Sequence, residues 1–237
     1  MRIGLFTDSH YCNKEMLGEG RRPALGYERI ENELPKFKEN GVELVICLGD
    51  LVDDCHDEIK NIEMIRKISF MIRSFGMDFY CLMGNHDYQN FTREEFNFLT
   101  DGAYPPFSVS TKKSVLIFLD CNYEDSGEVY RKGEVDWLNT RLPEEQIGLL
   151  KKTLSENKDK KAYVFLHQNI DRDVDKCHIV HNAEEIRKIL TESGNVEAVI
   201  QGHFHSGHRN EIDGIKYIAL PAVCGVKGDF FEIMDID

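Results

Sequence analysis

Residues 44–53 read LVICLGDLVD: five apolar residues that stop abruptly at a glycine and a carboxylate. An apolar run of this length, bounded by a turn residue, predicts a strand buried on both faces. Amphipathic segments flank it. Before it, Tyr27, Ile30, Leu34 and Phe37 share one helical face, and Pro35 is expected to kink or shorten that helix. After it, Ile62, Ile65, Ile68, Ile72 and Phe75 form a second stripe. Helix, buried strand and helix in that order predict an α/β fold with helices packed over a parallel sheet.

The same punctuation recurs further out. Residues 3–6, 78–83, 115–119, 162–166 and 196–200 are short apolar runs of strand type. Thr92 with Glu95, and Asn182 with Glu185, predict capping boxes that open further helices. Toward the end, residues 210–219 predict a β-hairpin turning at Asp213-Gly214, and residues 229–236 a closing strand. Residues 18–22 and 101–107 are the most loop-like insertions. No linker, repeat or low-complexity tract divides the chain, so residues 1–237 are expected to form one domain.

Composition narrows the classes of function. Acidic residues outnumber basic ones by 42 to 29, for a formal charge of -13. A surface of that sign repels phosphate backbones and anionic membranes, which argues against nucleic acid as a partner. No apolar run reaches the roughly 20 residues that span a bilayer. The seven cysteines are scattered, odd in number and without a CxxC pair, which predicts reduced thiols rather than disulfides. The opening stretch MRIGLFTDSH lacks the charged-then-apolar pattern of a signal peptide, and a cytoplasmic location is the expectation.

The polar residues that end the strands carry the chemistry. The first predicted strand leads into Asp8-x-His10, the second into Gly49-Asp50 and the third into Gly84-Asn85-His86-Asp87. Two later ones lead into His167 and into Gly202-His203-x-His205. In α/β sheets the carboxyl ends of strands converge on one crevice, so these clusters are expected to meet. Imidazole, carboxylate and amide oxygen without thiolate suit Mn, Fe or Zn. The seven candidates Asp8, His10, Asp50, Asn85, His167, His203 and His205 are too many for one tetrahedral ion, and a shared carboxylate can join two ions roughly 3.5–4 Å apart.

In this order, Asp8-x-His10, Gly49-Asp50-x-x-Asp53, Gly84-Asn85-His86-Asp87, His167 and Gly202-His203-x-His205 resemble the signature of calcineurin-like metallophosphoesterases. The resemblance implies a four-layer α/β/β/α sandwich and two metal ions, divalent or of mixed valence. It implies one ion on Asp8, His10, Asp50 and His205, and the other on Asp50, Asn85, His167 and His203, with Asp50 as the bridge. His86 resembles the family histidine that binds phosphate or protonates the leaving oxygen, and Asp53 the carboxylate that orients it. The implied activity is hydrolysis of a small-molecule phosphodiester, nucleotide diphosphate or phosphomonoester, through attack by a hydroxide held on the metals. A non-catalytic metal-binding scaffold and a nuclease are the alternatives. Eroded ligands would mark the scaffold, and a basic groove the nuclease.

Departures from neighbouring branches narrow the substrate. Asp54 stands where protein phosphatases of this kind carry a phosphate-gripping arginine, and Asp53 where purple acid phosphatases carry a tyrosine ligand. His167 is followed by Gln168-Asn169 rather than x-Pro. Residues 84–93 also resemble the Gly-Asn-His-Glu and Asn-Phe-Ser-Arg segment of manganese-dependent ADP-ribose/CDP-alcohol diphosphatases. The likeness implies a nucleotide diphosphate or similar small diester; class III cyclic-nucleotide phosphodiesterases share the same ligand set, and a small-molecule phosphoester is the substrate class expected. Elsewhere, His56, Cys55, His178, His181 and His208 are expected to be loop, cap or hairpin residues. Arg21, Arg22, Arg93 and Arg131 are expected to be solvated charges, and Trp137 with Leu138 to pack in the core on a helical pattern.

Overall fold

A computed structural model describes residues 1–103 and 105–237, with Glu19 represented by its backbone alone. Tyr104, inside the insertion expected at 101–107, lies outside the described residues. Three parallel strands, β1 (Arg2–Phe6), β2 (Leu44–Cys47) and β3 (Asp78–Cys81), form the first sheet, and β10 (Glu232–Asp235) pairs antiparallel with β1. The second sheet has the order β4-β5-β6-β7-β9-β8. Its strands are β4 (Phe107–Ser110), β5 (Ser114–Phe118), β6 (Lys161–Phe165), β7 (Val196–Gln201), β8 (His208–Ile212) and β9 (Ile215–Ala219). Strands β5, β6, β7 and β9 are parallel, and β4 and β8 antiparallel.

Residue alternation explains the layers. In β2 and the residue after it, Leu44, Ile46 and Leu48 pack toward the second sheet, against Leu116 and Phe118 of β5 and Phe165 of β6. Val45 and Cys47 face the other way, toward Ile30 and Leu34 of α1 (Pro23–Glu39) and Ile65 and Ile68 of α2 (Glu58–Ser74). Val115 and Ile117 of β5 pack outward against Ile147 and Leu150 of α5 (Glu144–Glu156) and Ile186 and Leu190 of α6 (Ala183–Ser193). Both faces of each central strand are therefore apolar, which is why they read as unbroken hydrophobic runs. The order helix, sheet, sheet, helix is the expected four-layer sandwich.

Three local expectations are corrected. Pro35 does not shorten α1, which runs 17 residues through it. Pro35 and Glu31 are exposed, so the carbonyl that proline leaves without a donor faces water, while Leu34 and Phe37 anchor the buried side. At Asn182 a helix begins, but the side chain makes no cap. It binds both the N–H and the C=O of Leu142 instead, at 3.0 and 2.9 Å. Trp137 and Leu138 lie outside any helix, 38% and 49% exposed. Thr92 and Glu95 do form their capping box, opening α4 (Arg93–Thr100) just after the short α3 (Asn85–Asn90). The hairpin turns at Asp213 and Gly214, both at positive φ as a tight two-residue loop requires.

Candidate metal centre

The segments that follow β1, β2, β3, β6 and β7 meet at one end of the sandwich, and backbone hydrogen bonds lash them together. Asp8 N donates to Gly49 O and His10 N to Asp50 O, both at 3.0 Å, and Gly202 N donates to His167 O at 3.0 Å. Asp8, His10, Asp50 and His203 all adopt left-handed backbone, with φ of 53°, 46°, 50° and 64°. Non-glycine residues take that region rarely, and its recurrence at the predicted ligands marks a site that over-determines its backbone. Gly84 has a steric role: a Cβ there would collide with the Asp50 carboxylate.

Two clusters result. Asp8, His10 and His205 can each offer an atom to one point, and Asp50, His167 and His203 to another. Asp50 stands between them: its Oδ2 lies 3.4 Å from His167 Nε2 and 3.6 Å from His10 Nε2. Asp8 Oδ1 is 3.3 Å from His205 Nε2. Asp8 Oδ1, Asp50 Oδ2, Asn85 Oδ1, His167 Nε2 and His203 Nε2 are all buried with no hydrogen-bond partner. Buried polar atoms are ordinarily paired, so a group of lone pairs with none is a cradle for cations. The residues thus fit two metal ions. His86 also comes within reach of His10 and Asp50, as a third grouping.

The remaining polar atoms orient these lone pairs. Asp50 Oδ1 accepts from His86 N at 2.8 Å, and Asp8 Oδ2 from His203 N at 3.0 Å. His167 Nδ1 lies 2.9 Å from Leu48 O; donation there leaves Nε2 as the free acceptor. No proline holds the His167 loop. Gln168 donates to Asn122 Oδ1 at 2.7 Å and Asn169 to Gly202 O at 2.9 Å, and these amides do that work.

Electrostatics favour the ligating forms of Asp50 and His203, while His167, against the effect of its burial, is raised to about 9 by the Asp50 charge, so that a cation there would displace its proton. Burial opposes ionisation of Asp50, but the charges of His167 and His86 outweigh it and hold the carboxyl well below its ordinary range. Burial and then the His167 charge push His203 well below the usual imidazole range, leaving its ring neutral. Asp87, which accepts from Gly84 N and Val52 N at 2.9 and 3.1 Å, is pushed up to about 7 by burial and the nearby Asp50 charge.

Asp53 is more connected than expected. Its Oδ2 lies 3.2 Å from His10 Nδ1 and 3.3 Å from His86 Nδ1, and accepts from Arg21 at 2.8 Å. Burial opposes its charge, yet these histidines hold it far below the ordinary carboxylate range. Arg21 is therefore no solvated charge: its side chain is 14% exposed, and the same nitrogen lies 3.4 Å from His86 Nε2. Arg93 is likewise buried in part, on Asp120 and Tyr88. With Phe91 buried and Thr92 capping α4, the likeness at 91–93 is accounted for by packing.

The ring of His178, at the end of a short turn, packs 5.0 Å from that of His203 at the edge of the site. His56, His181 and His208 face Asp54, Asp125 and Asp171, at 2.5, 2.9 and 3.7 Å. All seven cysteines are free thiols.

Comparison with known proteins agrees with this geometry. The profile described as calcineurin-like phosphoesterase matches residues 1–207. The chain is 26% identical over 227 residues to the 3',5'-cyclic adenosine monophosphate phosphodiesterase CpdA of Haemophilus influenzae, across 92% of this chain and 74% of that protein. It is 24% identical over 201 residues to a probable cyclic nucleotide phosphodiesterase of Psychrobacter arcticus, across 79% and 65%. A dimetal phosphatase from Danio rerio superposes with a TM-score of 0.82 at 17% identity, over 94% of this chain and 88% of that one. At that identity the likeness speaks for the fold.

Proposed function

The chain belongs to the calcineurin-like phosphoesterase family and is a metal-dependent phosphoester hydrolase; we propose that it cleaves small-molecule phosphodiesters, cyclic nucleotides foremost, at a two-metal centre. The observation that carries this reading is the set of buried, partnerless lone pairs on Asp8, Asp50, Asn85, His167 and His203. In this reading Asp8, His10 and His205 would hold one ion and Asn85, His167 and His203 the other, with Asp50 available to both. When bound, such a pair activates water and neutralises charge on the phosphoryl oxygens. The cyclic-nucleotide assignment draws on the activities named for the two curated relatives.

The chain's own residues supply the rest. His86, 29% exposed at its side chain, faces Asp53 through Nδ1 and would serve the leaving oxygen through Nε2, the atom that Arg21 approaches to 3.4 Å. Asp53 fixes the tautomers of His10 and His86 together, and Arg21 fixes Asp53. Arg21→Gln is therefore expected to lower kcat/KM by roughly 10–100-fold while metal content stays at two ions, with partial recovery in Arg21→Lys. Steady-state kinetics with elemental analysis reads this, and an unchanged kcat/KM would remove Arg21 from the machinery.

The function itself is tested by Mn²⁺-dependent hydrolysis of cyclic AMP, bis(p-nitrophenyl) phosphate and ADP-ribose, with Asp50→Ala as control. Turnover of the first two, absent from the control, is the expected result. Turnover of ADP-ribose alone would move the assignment to diphosphates. Metal binding without turnover of any of them would leave the scaffold reading.

A further inference from the structure

The rim of the metal site carries an aromatic surface that phosphoester cleavage itself does not use. Trp137, the chain's single tryptophan, is 38% exposed. Its ring centroid lies 5.7 Å from that of His203 and 5.8 Å from that of His178. His178 packs edge-on against Phe204 at 5.2 Å, so indole, imidazole and phenyl crown one wall of the centre. Leu138, 49% exposed, extends the apolar surface outward.

The loop that presents Trp137 is braced on both sides of it. The hydroxyl of buried Tyr130 lies 3.0 Å from Asp136 O and 2.9 Å from Asn139 O, and Asn139 N donates to Asp136 O at 2.9 Å. Thr140 donates to Cys121 O at 2.5 Å. A half-open indole held in this way is pre-organised, and a ligand stacking on it does not have to order the loop.

We propose that Trp137 is a nucleobase-stacking subsite, which makes the substrate a phosphoester whose organic group bears a flat aromatic ring. The proposal rests on the phosphoesterase reading above, because it places the phosphate beside His203 and the ester group against the rim. Every nucleobase has a π-face, so stacking there selects nucleotides as a class without choosing among bases. A sugar phosphate would reach the metals and leave the indole in water.

Trp137 is also its own reporter, being the only source of tryptophan fluorescence. Protein loaded with Zn²⁺, a d¹⁰ ion without redox chemistry, is titrated with AMP and with ribose 5-phosphate, following fluorescence and the heat of binding. AMP should change the emission saturably and bind at least about tenfold more tightly than ribose 5-phosphate. Trp137→Ala, shown to be folded by circular dichroism, should lose that preference, and Trp137→Phe should keep most of it. Equal affinities in the unmodified protein, or a preference that survives Trp137→Ala, overturns the subsite. If diesters are hydrolysed but AMP has no advantage, the subsite alone fails. If neither ligand binds and no diester is cleaved, both readings fail.

Discussion

Asp50→Asn will fold, hold one metal ion or none in place of two, and lose diester turnover by at least about 10²–10³-fold. The carboxylate is central to both clusters, with Oδ2 3.4 Å from His167 Nε2 and 3.6 Å from His10 Nε2. An amide at this position keeps an oxygen to accept from His86 N, as Oδ1 does now at 2.8 Å. Asparagine also tolerates the left-handed backbone at φ 50°, so the change removes charge with little else. With that oxygen kept on His86 N, the amide turns its NH2 toward the cations in place of Oδ2, no lone pair or charge is left to be shared between them, and the bridge is lost. Elemental analysis beside circular dichroism reads the result. Two full equivalents of metal in the folded variant would show that Asp50 is not the bridge.

His86→Ala will have the opposite signature, with both metals retained and turnover reduced by roughly 10²–10⁴-fold. The loss will be smallest for esters with good leaving groups such as p-nitrophenolate, which need little protonation. The reasons lie in its position. His86 is partly exposed, its Nδ1 is taken by Asp53, and its link to Asp50 runs through a backbone N–H that alanine keeps. Because His86 also lies within reach of His10 and Asp50, metal content is the decisive second readout. Loss of one ion would make it a ligand, and equal losses across leaving groups would deny it the role of acid.

The sequence made the central strands and the predicted ligands legible for the same physical reason. Strands buried on both faces are continuous apolar runs, and a polar residue just past their ends has no place except a turn or a site. Asp8, His10, Asp50, Asn85, His167, His203 and His205 are local in this sense, each within a few residues of the strand that positions it. Arg21 is not. It sits among glycines and charges that read as a solvated loop. Its neighbour Arg22 donates from its backbone N–H to Cys224 O, and that pairing of distant segments brings the loop to the site. Trp137 shows the same limit. Beside Val135 and Leu138 it carries a helical pattern, but the Tyr130 hydroxyl contacts Asp136 O and Asn139 O and holds the segment as an open loop. Asn182 reads as a cap until Leu142, forty residues away, supplies better partners. At Arg21 and Asn182 a contact remote in sequence overrides local propensity, and at Trp137 a side chain six to nine residues from its partners does so.

The central claim is the paired metal centre, and anomalous diffraction from crystals grown with Mn²⁺ tests it most directly. Two peaks are expected, one bounded by Asp8, His10 and His205, the other by Asn85, His167 and His203, with the Asp50 carboxylate between them. A single peak, or a pair that leaves Asp50 to one side, would contradict it.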